Sequence, residues 1–181
     1  QSEVLDQVHE PKLVAADTMN FWIEGARPDL EKILSRVNIL SINDGEAKML
    51  SGKSNLVHAA EEIRKLGPSM LVIKRGEHGA LAFFEDQMFS VPAYPLSDVV
   101  DPTGAGDSFA GGLMGYLTKH RRVDAKTFRQ AILMGSVMAS YNVQDFSLGK
   151  LATLSPGLIR ERTREFHHLI RVDIEGINLD F

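Results

Sequence analysis

Apolar and polar positions along this chain repeat with two different periods. Residues 12–17 (KLVAAD) and 37–43 (VNILSIN) are short apolar runs ending in a polar residue, as in strands buried on both faces. Between them Pro28 precedes Leu30, Ile33, Leu34 and Val37 at helical spacing, with the proline where a first helical turn accepts it. A second helix is predicted over 57–66 from Val57, Ala60, Ile63 and Leu66, and a third buried strand over 70–74. Strands alternating with helices are what a parallel sheet requires, because each crossover must return the chain to the same end of the sheet.

After Gly79 the period changes. Residues 80–85 and 88–94 read as two strands around the polar turn Glu85, Asp86 and Gln87, which predicts an antiparallel hairpin at the sheet edge. From Asp107 the pattern is helical, with Phe109, Leu113 and Leu117 on one stripe. Ala110, Gly111 and Gly115 form a flank that another backbone can approach closely. Further helices are predicted over 125–141 and 155–170. The final stretch, RVDIEGINLDF, alternates with a phase slip at Gly176. It reads as an edge strand of the chain's own sheet, or as a strand exchanged within a homodimer. Without repeats or a linker, residues 1–181 are expected to form a single α/β domain.

Composition narrows the function. With 181 residues, 44% of them hydrophobic, the chain can bury one substantial core. The 24 acidic and 20 basic residues are interspersed, for a net charge of −4. No basic stripe exists to displace counterions from a nucleic-acid backbone, so nucleic acid is not the expected partner. The absence of cysteine removes disulfides and thiolate metal sites and fits a reducing cytoplasm. His167 and His168 are adjacent and point to different sides of a helix, so zinc has little support. The apolar stretch around 131–139 is broken by Gly135 and Ser136 and falls short of the roughly 18 residues a membrane span needs. No secretory leader is visible, and the start at Gln1 rather than methionine suggests that something ahead of it has been removed.

The chemistry concentrates in VVDPTGAGDSFAGG, residues 99–112. A P-loop would end in Gly-Lys-Ser/Thr, but here Gly106 is followed by Asp107 and Ser108. The dinucleotide fingerprint would place a third glycine where Phe109 stands. What remains is a turn whose amides are left bare by small residues at a helix start, where unpaired N–H groups and the helix dipole favour an anion. Asp107 conflicts with simple phosphate binding, since a carboxylate repels phosphate. In that first turn it can instead take a proton from a hydroxyl attacking phosphorus. The plainer reading makes Asp107 a helix cap and the glycines packing devices.

DPTGAGDSFAGG resembles the C-terminal signature of the ribokinase-like (PfkB) carbohydrate kinases. NILSINDGEAKMLSG resembles the family's Asn-x-x-Glu segment, and LVIKRGEHGALAF its strand, nucleotide loop and following strand, in the same order. The resemblance runs from about Lys12 to Ile170. It implies a ribokinase-like α/β fold: a mostly parallel sheet with helices on both faces, three layers in all, and an antiparallel edge hairpin.

The resemblance also implies ATP-dependent phosphoryl transfer to a sugar, with a nucleoside as the alternative acceptor. A non-catalytic nucleotide-binding module is a further alternative. Asp107 is then the base, and the amides of Gly104, Ala105, Gly106 and Asp107 form the anion hole. Asn43 and Glu46 match the motif that organises Mg2+, largely through water, which suits a hard cation. They also read as a reciprocal capping box, and the two roles are compatible. Lys74, Arg75, Gly76 and Gly79 match the nucleotide loop, leaving open which of the two cations faces the triphosphate. Asp101 and Thr103 stand near a monovalent-cation (K+) site in many relatives, its other half drawn from the ASYNVQDFSLG stretch. Asp17 and Asn20 leave the first strand near the acceptor, while Phe21 and Trp22 either line a pocket there or join the core.

Relatives are longer at the N-terminus, where they carry a Gly-Gly sugar motif, most acceptor contacts and a β lid. Nothing before Lys12 resembles these parts. The expectation is the C-terminal, nucleotide-binding and catalytic part of a longer kinase, without its lid.

Overall fold

A computed structural model describes residues 2–121 and 123–172. In chain order the elements are α1 (Ser2–Asp6), β1 (Ala15–Asp17), α2 (Asn20–Gly25), α3 (Arg27–Leu34), β2 (Ile39–Asn43), α4 (Asp44–Ser51), α5 (Leu56–Arg64) and β3 (Met70–Lys74). A short 3-10 turn over Gly76–His78 leads into β4 (Ala80–Phe84) and β5 (Gln87–Val91). Then come α6 (Ala105–His120), α7 (Ala125–Asn142), α8 (Gly149–Ala152) and α9 (Pro156–Ile170). The candidate terminal strand lies mostly beyond residue 172, outside the described residues.

The sheet order is β1-β2-β3-β4-β5. β1, β2 and β3 pair in parallel, while β4 and β5 complete the sheet as the antiparallel edge hairpin. Successive side chains of β2 and β3 point to opposite faces, so each strand feeds two cores. Ile39, Met70 and Val72 pack with Phe109, Leu113, Phe128 and Phe166 from α6, α7 and α9. Leu40, Ile42, Leu71 and Ile73 pack with Leu30, Ile33, Leu50 and Ile63 from α3, α4 and α5. The layers are therefore helix, sheet, helix, as the resemblance implies.

Several element boundaries and packing faces differ from those predicted, each for a local reason. β1 covers only the last part of 12–17, because the Asn38 side chain takes the Val14 N–H (2.8 Å) and ends the ladder early. α3 stops at Leu34, and Val37 is buried in the connection to β2. In α5 the buried positions are Ala59, Ala60 and Ile63, whereas Val57 is 40% exposed beside the Asn55 cap. The hairpin turn narrows to Glu85 and Asp86, with Gln87 opposite Phe84, and β5 ends at Val91 before Pro92, which has no N–H to donate. A Cβ at Gly79 (φ +80°) would lie 2.1 Å from the Val91 carbonyl oxygen, so that turn needs glycine.

The close approach predicted along Gly111 and Gly115 occurs instead at the neighbouring glycine. A Cβ on Gly112 would stand 2.8 Å from the Met134 carbonyl oxygen, and one on Gly135 2.9 Å from that of Phe109. α6 and α7 thus cross nearly backbone to backbone. Gly111 and Gly115 have open space beside them. Gly111 helps line a groove of about 310 Å³ between α6 and strands β1 and β2, with Ala16, Ile39 and Ser41. The Ser41 hydroxyl is buried without a hydrogen-bond partner among the described residues. Among the described residues no helix is long and apolar enough to cross a membrane.

Candidate active site

The carboxyl ends of β1, β2 and β3 and the start of α6 converge at one edge of the sheet, where ligands of open α/β folds bind. α6 begins in an unusual way. Its N-cap, Gly104, is left-handed (φ +79°, ψ 0°), and no side chain caps the helix. The Ala105 N–H donates to the Pro102 carbonyl (3.1 Å), so this member of the proposed anion hole is already engaged in the turn. Asp107 is exposed in the first helical turn.

Lys74 ends β3, and its side chain is only 19% exposed. Its Nζ donates to Asp17 Oδ2 at 3.0 Å, and a Cβ on Gly106 would come within 3.1 Å of the same Nζ. The ammonium therefore stands between the end of β1 and the glycine turn. Arg75 does something different: Nη2 donates to the His78 carbonyl (2.8 Å), closing its own loop, while its N–H donates to the Gly79 carbonyl (2.7 Å). Gly76 is left-handed within that loop (φ +55°). Of the two cations left open by sequence, only Lys74 meets the turn.

Asn43 and Glu46 form the full reciprocal box at the start of α4. The Glu46 N–H donates to Asn43 Oδ1 and the Asn43 N–H to Glu46 Oε2, both at 2.8 Å. Burial pushes the Glu46 carboxyl above its ordinary range, and the nearby Asp17 charge adds to this against the Asn43 bonds and Lys74. A buried carboxylate held by one oxygen suits water-mediated interaction with a hard cation. Among the described residues no three His, Asp or Glu side chains gather into a ready cage.

Asp101 accepts the Thr103 N–H (2.9 Å). That bond, with help from the Thr103 hydroxyl and the Ser147 N–H, holds its carboxyl below the usual range. The contact with Ser147 brings part of the 139–149 stretch to Asp101. Asn20 is exposed at the first position of α2. Phe21 and Trp22 meet edge to face at 5.0 Å and are 65% and 43% exposed, so the core reading of this pair is corrected.

Sequence reasoning missed Asn142 and Ser108. Asn142 is 2% exposed at the end of α7, where it accepts from Ser108 Oγ (2.5 Å) and donates to the Thr103 carbonyl (2.9 Å). The available signal was an amide at the end of an otherwise apolar helical run, in the stretch already singled out for the cation site.

Comparison with known proteins bears on the family and the fold. Over 97 residues the chain is 37% identical to a cytidine kinase of Thermococcus kodakarensis, covering 52% of this chain and 34% of that one. It is 34% identical over 112 residues to an aminoimidazole riboside kinase of Salmonella typhimurium, covering 60% and 35%. The Salmonella enterica aminoimidazole riboside kinase, solved with aminoimidazole riboside and an ATP analog, superposes with a TM-score of 0.70 at 28% identity over 83% of this chain and 52% of that one. The chain thus spans about a third of these curated relatives and half of the solved one. Residues 9–153 match the pfkB family of carbohydrate kinases, and the chain belongs to that family.

Proposed function

We propose that this chain carries the nucleotide-binding and catalytic part of an ATP-dependent kinase that phosphorylates a sugar hydroxyl. The supporting observation is the opening of α6, an uncapped left-handed glycine turn with Asp107 in the first turn and Lys74 against Gly106. The amides of Gly104, Gly106 and Asp107 and the Lys74 ammonium bind the oxygens of the transferring phosphoryl group. Such preorganised donors stabilise charge that develops in the transition state. Asp107 takes the proton of the acceptor hydroxyl as that oxygen bonds to the γ-phosphorus and the bond to the β-phosphate bridge breaks, releasing ADP. Asp17 keeps Lys74 on station, and with Asn20 it lies toward the acceptor.

Gly76 and Gly79 shape the loop in which Arg75 serves, beside the nucleotide. Asn43 and Glu46 would hold Mg2+ through water, and the cation would neutralise phosphate charge. Asp101 and Thr103, joined by Ser147, would stand at a K+ site that stiffens the turn. Similarity to a cytidine kinase and a riboside kinase favours a second reading, in which the acceptor hydroxyl belongs to a nucleoside.

The fraction of its relatives that the chain spans supports its being part of a longer enzyme, and the resemblance of its motifs makes that the C-terminal part. The groove between α6 and strands β1 and β2, with the β1 edge and the Ser41 hydroxyl unpartnered among the described residues, is a surface on which further chain would pack. The test is transfer of phosphate from ATP and Mg2+ by the full-length gene product to a panel of free sugars and nucleosides. One phosphorylated acceptor is expected. ATP binding without turnover on any of them would leave only a nucleotide-binding module.

A further inference from the structure

The amides that face the phosphoryl group sit in a glycine turn, and glycine loses the most conformational freedom when held in one shape. Donors that stabilise a transition state must nevertheless be fixed beforehand. No side chain of the turn itself caps α6. What grips the turn is the C-terminal end of α7, Asn142 and the capping residue Val143. The Val143 carbonyl accepts from the N–H groups of Val100 (2.8 Å) and Asp101 (3.3 Å) just ahead of it. Asn142 reaches across to both sides of Gly104. Its Nδ2 donates to the carbonyl of Thr103, its Oδ1 accepts from the hydroxyl of Ser108, and a Cβ on Gly104 would lie 3.1 Å from that same Oδ1. The Gly112 and Gly135 crossing fixes α7 against α6, so the amide cannot drift away from the turn.

We propose that Asn142 is a positioning residue that clamps the 104–107 anion turn in its donating shape. This rests on the reading of that turn as the phosphoryl site. Nearly all of the side chain is buried, with its donor and its acceptor each given a partner, and those partners flank the reactive turn on either side. An aspartate of the same shape would lack the donor and set a carboxylate oxygen against the Thr103 carbonyl. An alanine would leave that carbonyl and the Ser108 hydroxyl without partners inside the protein, at a cost typical of unsatisfied buried groups.

The experiment compares the full-length wild type with Asn142→Asp, Asn142→Ala, Ser108→Ala and Asp107→Asn. Backbone amide hydrogen exchange is read at Ala105 and Ser108, whose N–H groups donate to the Pro102 and Gly104 carbonyls, and, as an internal control, at Leu113 and Leu117 in the buried stripe of α6. Exchange at the turn should quicken in both Asn142 variants, and less in Ser108→Ala, while the Leu113 and Leu117 amides stay protected. In the same variants kcat should fall about 100-fold, the scale of a small misplacement at a reacting centre, with little change in the acceptor KM. Unchanged exchange at the turn in a folded Asn142→Asp protein overturns the clamp. Equal loss of protection throughout α6 does so too, because it marks ordinary destabilisation. Faster exchange with kcat retained overturns its part in catalysis. Asp107→Asn should lower kcat by about 10²–10⁴ without altering exchange. If the wild type phosphorylates no acceptor, the kinase reading fails, and exchange alone decides whether Asn142 holds the turn.

Discussion

Two helices start at the same edge of the sheet, and they start in opposite ways. α4 closes its own end: Asn43 and Glu46 satisfy each other's backbone N–H groups at 2.8 Å. α6 begins on left-handed Gly104 with no capping side chain, and its restraint comes from Asn142, 34 residues beyond Ser108 in sequence. A capped helix start adds local stability, because its orphan donors already have partners. An uncapped start held from outside keeps its donors for a ligand and transfers the task of rigidity to another element. The difference teaches how one edge can be both well folded and chemically available.

The comparison can be broken most sharply at Asp107. Asp107→Asn should lower kcat by about 10²–10⁴, the range for loss of a general base, with nucleotide affinity largely kept. Steady-state kinetics and ATP titration of the full-length protein check this, and full transfer by the variant would remove Asp107 from its role. Lys74→Met comes next. Losing one preorganised charge donor should cost about 10²-fold in kcat, together with weaker nucleotide binding, and a rate within a few-fold of wild type would place the ammonium outside the site.

An ordinary cap sharpens the contrast from the other side. Asn55 accepts from the Val57 and His58 amides at the start of α5, away from the candidate site. Asn55→Ala should reduce unfolding free energy by about 1 kcal/mol and leave kcat unchanged, as measured by urea denaturation and kinetics.

The smallest effect concerns Glu46. Its folded carboxyl lies above its ordinary value of 4.5, chiefly through burial, so the folded protein binds more protons than the unfolded chain just above that pH. Stability from this group is present below pH 4.5 and lost as pH rises through the folded value. Glu46→Gln keeps an acceptor for the Asn43 N–H and should gain on the wild type across that window in metal-free buffer. A stability difference that is flat with pH would show that burial does not control the carboxyl.

Much of this molecule is legible in the sequence. The apolar run at 70–74 predicts β3 at its observed bounds, because a strand buried on both faces is an unbroken apolar run. The capping box at Asn43 and Glu46 was legible because it is local, spanning three residues. β1 is shorter than its apolar run because the side chain of Asn38, just ahead of β2, takes the Val14 N–H and ends the ladder. Phe21 and Trp22 were ambiguous because an aromatic pair carries the same sequence signal in a core and on a surface. Gly111 and Gly112 differ by 100° of helix rotation, and only the position of α7 selects between them.

By itself the sequence determined the alternation of strand and helix, the hairpin, the bare glycine turn and the acid within it. Each of these is written in neighbouring residues, through period, turn chemistry and helix-end electrostatics. Tertiary structure alone decided that Lys74 rather than Arg75 meets the turn, that Gly112 and Gly135 let α6 and α7 touch, and that Asn142 grips the loop. Those choices depend on contacts between residues tens of positions apart, and no local pattern carries the distance between two helices.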